Sequence, residues 1–165
     1  MNIGLIGMPA AGKSFIGARL AEHLGLEFVE LDRILENAVG LKLQKVLDEL
    51  GDERFIEVEG EMLVNATSGK EGFVVSPGGS IVYSPFGMRR MKELGPVLYL
   101  KADFPMIEKR LTSESRAIVG FGTKSLRDIY DEREKLYTQY ADYVIEVDEE
   151  PQTTLQRIVE TVKTL

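Results

Sequence analysis

Short apolar runs alternate along this chain with longer amphipathic segments, and this alternation is typical of a parallel β-sheet covered by crossover helices. Five of the runs have the length of a strand and lie at residues 2–6, 28–32, 72–76, 97–100 and 143–147. The second run ends in two carboxylates one residue apart, Glu30 and Asp32. The pattern therefore predicts an α/β fold with a buried parallel sheet.

Between the strands, apolar residues recur at three- and four-residue spacing, which predicts helices. The first helix begins at Lys13 and stops at Gly25, because glycine is the usual residue after a helix C-terminus. Further helices are predicted as two short stretches within 34–50 split by Gly40, then at 52–68, 89–94, 106–111, 125–140 and 151–165. Residues 112–124 follow neither period, so we expect a mobile loop there.

Composition narrows the classes of function. The chain has 165 residues, 44% of them apolar, which is enough for one domain with its own core. With no Cys and a single His, it has no thiolate nucleophile, and any metal must bind to oxygen. A net charge of −7 without a basic run argues against binding to nucleic acid or to a membrane. Glycines break the first apolar run, which is far too short to span a membrane, so we expect a cytoplasmic protein. We also expect a monomer whose partners are small molecules.

The turn after the first strand carries a phosphate-binding motif. Residues 7–14, GMPAAGKS, fit G-x-x-x-x-G-K-[ST] between a strand and a helix, which is the context the motif requires. Backbone N–H groups of such a loop bind phosphate oxygens, Lys13 would reach the β- and γ-phosphates, and Ser14 would hold Mg²⁺. The predicted nucleotide-binding residues here are Gly7, Ala10, Ala11, Gly12, Lys13, Ser14 and Phe15. The sequence therefore predicts a nucleoside triphosphate site.

This motif, the carboxylates Glu30 and Asp32, and the Pro77-Gly78-Gly79 break after a later strand together resemble the shikimate kinase family. The resemblance covers nearly the whole chain. It implies a three-layer α/β/α fold of the nucleoside-monophosphate-kinase type, with five parallel strands in the order 2-3-1-4-5. It also implies Mg²⁺-dependent transfer of the ATP γ-phosphate to a hydroxyl of shikimate. One domain over 1–165 is expected, with an acceptor-binding helical segment at about 32–63 and a lid loop at about 112–124.

The resemblance implies roles for individual residues. Asp32 would contact the acceptor hydroxyl and act as base, because a hydroxyl is a weak nucleophile until its proton is removed. Glu30 would reach Mg²⁺ through water. Arg116 would close over the phosphates as the lid arginine, and Arg110 would pack on adenine. Pro151 matches a residue near the adenine, although it also suits the start of a helix.

Some glycines of the family pattern are replaced. Gly78 and Gly79 match two of three glycines whose backbone approaches the substrate, and Ser80 stands in place of the third. Ala10 replaces a glycine that is usual in the phosphate loop, which is tolerable if its φ is negative. Arg133 matches an arginine that clamps the shikimate carboxylate, so the resemblance implies an anionic acceptor.

The largest departure is on the acceptor side. Ile56 stands where the family has a second carboxylate-binding arginine, and isoleucine offers no hydrogen bond to an anion. Losing such a partner typically costs ~2–5 kcal/mol. Arg54 should point away from this position, since it lies about 200° around the helix. Glu59, the partner of the missing arginine in the family, must therefore meet solvent, another cation or the substrate.

Three hypotheses follow. The first is an ATP- and Mg²⁺-dependent kinase acting on a hydroxyl of a small anionic metabolite, with shikimate as the leading named substrate. The second is a nucleoside-monophosphate or sugar-acid kinase, because the same fold carries those activities. A base-stacking aromatic and several phosphate-facing arginines in the acceptor site would favour a nucleotide acceptor, and the region 47–59 does not show them. The third is a non-catalytic nucleotide-binding regulator, against which Lys13, Asp32 and Arg116 argue.

Overall fold

A computed structural model describes residues 1–113 and 117–164 of the chain. It contains five strands, β1 (Ile3–Ile6), β2 (Glu27–Glu30), β3 (Phe73–Ser76), β4 (Val97–Lys101) and β5 (Tyr143–Glu146). All neighbouring strands are parallel, in the order β2-β3-β1-β4-β5. The α/β fold class and the strand order are therefore confirmed.

Helices surround this sheet and complete a three-layer arrangement. They are α1 (Lys13–Leu24), α2 (Leu31–Val39), α3 (Leu43–Thr67), α4 (Pro85–Leu94), α5 (Phe104–Ser113), α6 (Leu126–Tyr140) and α7 (Pro151–Val162), with a short 3-10 helix at Gly79–Tyr83. The first helix packs against the last, and α3 packs against α4. None of the helices in the described ranges combines the length and the apolarity needed to cross a membrane.

The second strand is shorter than predicted. Strand β2 ends at Glu30 and α2 begins at Leu31, so Asp32 lies in the first turn of a helix and not at a strand end. A carboxylate is favoured there because the partial positive charge of the helix N-terminus attracts it. Glu30 is thus the last residue of a strand and Asp32 is in a helix, although both line the same cleft.

Helix α3 is bent where the sequence predicts a stop. Gly51 has φ 75° and ψ 167°, which are not helical values, so two helical segments meet there. The bend separates residues 43–50 from the longer segment that carries Phe55 and Glu59. Since only glycine adopts this backbone conformation readily, the kink is set by the sequence.

Two apolar clusters organise the interior. The larger one contains the central strands, with β1 and β3 completely buried. The smaller one, called here the second cluster, consists of the buried residues Leu35, Val46, Leu47, Phe55 and Val119. Because Val119 belongs to it, part of the predicted loop at 112–124 is packed against α2 and α3. Helix α5 also extends to Ser113, past the predicted start of that loop.

Candidate active site

One cleft of about 870 Å³ opens at the carboxyl ends of the parallel strands, where ligands bind in open α/β sheets. Among the described residues it takes in all the predicted site residues except Gly7 and Ile56; its predicted members are Ala10, Ala11, Gly12, Lys13, Ser14, Phe15, Glu30, Asp32, Glu59, Gly78, Gly79, Arg110, Arg133 and Pro151. Arg116 lies outside the described residues. The fold thus brings the predicted nucleotide and acceptor residues to a single space.

The phosphate-binding loop encloses its own lysine. Lys13 is buried, and its Nζ donates hydrogen bonds to Gly7 O at 2.8 Å and Met8 O at 2.9 Å. Gly7 therefore contributes its carbonyl to the loop without lining the cleft. A buried ammonium at the N-terminus of α1 gives this end of the cleft the positive charge that phosphates require.

Ala10 departs from the sequence expectation. Its φ is +67°, in the left-handed region, and it is the one non-glycine residue with positive φ in the described part of the chain. The condition under which alanine would be tolerated here without strain, a negative φ, is therefore not met. A left-handed alanine costs about 1–2 kcal/mol, because Cβ crowds the following carbonyl. The carbonyl of Ala10 accepts a hydrogen bond from Arg110 Nη1 at 2.9 Å, which helps to hold the loop in this shape.

The two side chains predicted to bind a metal, Ser14 and Glu30, are oxygen donors that line the cleft. Ser14 is exposed, and Glu30 is partly buried, with its Oε2 3.6 Å from Arg33 Nε. In the described ranges no group of three or more acidic or histidine residues could hold a metal by itself. Mg²⁺ needs no such group, since it keeps several waters and binds one or two protein oxygens plus substrate phosphates. The donor set of Ser14 and Glu30 therefore suits Mg²⁺ bound together with a nucleotide.

Helix α7 borders the far end of the cleft. Pro151 opens this helix and also lines the cleft, so its two predicted roles are compatible. Thr154, one turn later, is fully buried and accepts a hydrogen bond from the backbone N–H of Asp148 at 2.9 Å. Sequence analysis did not identify Thr154, because a buried threonine on a helix carries no distinguishing pattern.

The glycine turn after β3 lies tightly against acceptor-side residues. A Cβ on Gly78 would overlap Glu59 Oε1, and a Cβ on Gly79 would lie 2.7 Å from Pro9 Cδ and 3.1 Å from Arg133 Nη1. Glycine is therefore needed at both positions for close approach. Ser80 has no positive φ and lies in the 3-10 helix, so this third position does not require glycine.

Arg133 is the buried cation of the acceptor end, with 1% of its surface exposed. Its Nη2 donates to Val119 O at 3.0 Å, and its Cζ lies 5.2 Å from the centre of the Tyr83 ring. Its Nε is buried and has no hydrogen-bond partner within the described ranges. A buried guanidinium N–H without a partner is costly.

Tyr137, one turn after Arg133 on α6, has a polar role that sequence analysis missed. Its ring is buried against Tyr99, and its hydroxyl donates to Gly79 O at 2.6 Å. This bond ties α6 to the glycine turn. The i, i+4 spacing from Arg133 was the available signal, since it places both side chains on one face of the helix.

Glu59 is the most perturbed carboxyl of the site. It is buried, its Oε2 accepts a hydrogen bond from the Ser80 hydroxyl, and its Oε1 has no partner in the described residues. Burial raises the pKa of Glu59 to about 8; the nearby charge of Asp32 raises it as well, while Ser80, Arg133 and Lys13 act in the opposite direction. Glu59 is therefore largely protonated at neutral pH. Its partner is the serine, which the sequence expectation did not include.

Ile56 lies outside the cleft. It packs against the second cluster, which includes the buried Leu47, while its neighbour Phe55 lines the cleft. Lys42, on the turn before α3, and Val119 also line the cleft, and neither was predicted.

Comparisons with a family model and with curated proteins point to the same family. The model of the shikimate kinase family matches residues 9–163. A shikimate kinase of Bordetella avium is 34% identical over 162 residues, covering 96% of this chain and 77% of the relative. One from Paracidovorax citrulli is 32% identical over 149 residues, covering 88% and 81%.

A solved structure supports the same relationship. The shikimate kinase of Acinetobacter baumannii, in complex with shikimate, superposes with a TM-score of 0.87 at 28% identity, covering 99% of this chain and 93% of that one. The family match, the curated relatives and this likeness agree with the sheet order and with the phosphate-binding loop. The chain belongs to the shikimate kinase family, whose members are ATP-dependent kinases that phosphorylate a hydroxyl group.

Proposed function

We propose that this protein transfers the γ-phosphate of ATP to a hydroxyl of a small carboxylate-bearing metabolite, with shikimate as the leading acceptor. One observation carries the proposal. A single cleft joins the phosphate-binding loop to Asp32 and to the buried guanidinium of Arg133. The relatives named shikimate kinase, and the solved neighbour that binds shikimate, support this choice of acceptor.

The nucleotide end binds and orients the phosphates. Backbone N–H groups of residues 7–14 surround the phosphate tail, and the Lys13 ammonium exchanges its loop carbonyls for phosphate oxygens. Ser14 would hold Mg²⁺ directly and Glu30 would hold it through water, and the ion would neutralise charge on the β- and γ-phosphates. Pro151 lies at the far end of the same cleft, where the proposal puts adenine.

The acceptor end orients the hydroxyl and receives its proton. The acceptor oxygen attacks the γ-phosphorus while the bond from that phosphorus to the β,γ-bridging oxygen breaks, so that ADP leaves with the bonding electrons. The hydroxyl proton passes to the carboxylate of Asp32. Arg133 binds the acceptor's carboxylate, and Arg116 stabilises the transferring group from a lid at about 112–124. The acceptor-binding segment at about 32–63 and a cytoplasmic monomer belong to the same proposal.

An ADP-release assay with ATP, Mg²⁺ and a panel of acceptors tests this function. We expect turnover with shikimate at millimolar concentration or below. We expect Arg133→Lys to raise the KM for the acceptor at least about tenfold, because a lysine cannot form the paired hydrogen bonds of a guanidinium. The KM for ATP should change less than about twofold.

Arg127→Lys is the matched control, because Arg127 lies on the same helix with its guanidinium exposed and paired to Asp131 at 3.1 Å. It should leave both constants unchanged. Turnover of a nucleoside monophosphate or a sugar acid in place of shikimate would reassign the acceptor. ATP binding without transfer to any member of the panel would contradict the proposed function.

A further inference from the structure

Two departures from the family pattern meet at one carboxyl group. Glu59 lacks the arginine that the resemblance implies at position 56, and Ser80 replaces the third glycine of the turn. In the structure the Ser80 hydroxyl donates to Glu59 Oε2, and both residues are buried, with 4% of each exposed. The Ser80 hydroxyl is therefore the partner of Glu59, whereas the resemblance implies an arginine from position 56 in that role.

The other oxygen of Glu59 lies against the glycine turn. Oε1 is buried, has no hydrogen-bond partner in the described part of the chain, and is covered by the backbone of Gly78. A Cβ at Gly78 would also lie 3.1 Å from Asp32 Oδ1, so both carboxyl groups lie beside this glycine, which lines the cleft. The position of the Glu59 carboxyl group therefore affects the part of the turn that an acceptor activated by Asp32 would meet.

A neutral partner also preserves the charge that an anionic acceptor needs. Glu59 is faced by Asp32 from α2, Arg133 from α6, Lys13 from α1 and Ser80 from the 3-10 helix. If Glu59 were ionised, its charge would offset that of Arg133 in a region of low dielectric constant. Because the carboxyl is held by a hydroxyl and stays largely protonated, the positive charge of Arg133 remains for the acceptor.

We propose that Ser80 is a positioning residue of the acceptor site: its hydroxyl fixes the buried carboxyl group of Glu59 against the Gly78 backbone, beside Asp32. This proposal rests on the proposed function for its acceptor, but the bond between Ser80 and Glu59 does not depend on turnover. Ser80 lines the same cleft and acts through Glu59, to which its hydroxyl donates.

A carboxyl ¹³C titration of the free protein tests the bond itself. The Glu59 resonance is assigned by its absence in Glu59→Gln. Removing a donor to the carboxylate should raise the pKa of Glu59, so we expect Ser80→Ala and Ser80→Gly each to move the midpoint upward by about one pH unit. Ser84→Ala is the matched control, since Ser84 is equally buried on the same segment but its Oγ accepts from Gly87 N. An unmoved midpoint in both Ser80 variants would overturn the proposal.

Steady-state kinetics test the positioning role. We expect Ser80→Ala and Ser80→Gly to raise the KM for the acceptor about tenfold, with the KM for ATP within about twofold of wild type. Ser84→Ala should change neither. If only the alanine variant raises the acceptor KM, the cause is shape and not the hydroxyl, and the proposal fails. If both KM values rise together, Ser80 supports the fold only, which also refutes it.

The two experiments separate this inference from the proposed function. If the wild-type protein transfers phosphate to no acceptor, the proposed function fails, and the acceptor half of this inference fails with it. The titration then still decides whether Ser80 holds Glu59. If turnover is seen but neither Ser80 variant alters the acceptor KM, the function stands and the role of Ser80 is refuted.

Discussion

Replacing the buried Glu59 by glutamine should remove a specific pH dependence of stability. In the unfolded chain this carboxyl has the ordinary pKa of 4.5, whereas burial raises the pKa of Glu59 to about 8 in the folded protein. Between these values the folded state keeps a proton that the unfolded state has released. Raising the pH therefore favours unfolding, and the contribution is fully present below about pH 4.5 and lost as the pH rises to about 8.

The size of the effect follows from the same interval. Each pH unit within it is worth about 1.4 kcal/mol of unfolding free energy, because one unit of pKa corresponds to that energy. Over the three and a half units from 4.5 to about 8, the loss is on the order of 5 kcal/mol. Glutamine keeps the shape and an acceptor for Ser80 but does not titrate, so Glu59→Gln should lack this loss.

Urea denaturation at pH 5, 6, 7, 8 and 9 measures the effect. The quantity compared is the free energy of unfolding of wild type minus that of the variant, at a constant m value. We expect this difference to fall by about 1.4 kcal/mol per unit from pH 5 to 8 and then to level off. Glu53→Gln is the control, because Glu53 is exposed on the same helix. A difference that stays constant or rises with pH would show that Glu59 is ionised throughout, which would refute the reasoning.

Three further predictions concern other parts of the site. Asp32→Asn should lower kcat at least about 100-fold with little change in the KM for ATP, because the amide cannot accept the hydroxyl proton; an unchanged kcat would exclude Asp32 as base. Ala10→Gly should stabilise the protein by about 0.5–1 kcal/mol in urea melts by relieving the left-handed φ, and destabilisation would contradict that backbone. Tyr137→Phe should cost about 1 kcal/mol and raise the acceptor KM alone, since it frees the Gly79 carbonyl; a rise in the KM for ATP would speak against this.

The nucleotide half of the cleft was largely predictable from the sequence. The motif at residues 7–14 is contiguous, so its spacing alone predicts the strand, the turn and the helix that begins at Lys13, and the structure has that helix. Asp32 was predicted at a strand end and lies instead on the first turn of α2. The boundary shifted because the favourable helix terminus competes with a strand of only four residues.

The acceptor half was less predictable. The isoleucine at position 56 suggested an orphaned Glu59, but its hydroxyl partner lies 21 residues away in sequence on the 3-10 helix. No local pattern links these two positions. The placement of Ile56 against the second cluster likewise depends on the bend at Gly51 and on Val119 from a distant segment.

Local patterns in the sequence were enough to determine the alternation of strands and helices, the phosphate-binding loop and the chemical types of the site residues. Those features depend on neighbours within a few positions, where hydrophobic period and backbone preference act directly. The tertiary structure alone decided that Ser80 meets Glu59, that Ala10 adopts a positive φ, and that Ile56 turns away from the cleft. These outcomes depend on contacts between distant segments, and the burial that raises the pKa of Glu59 exists only when those segments pack together.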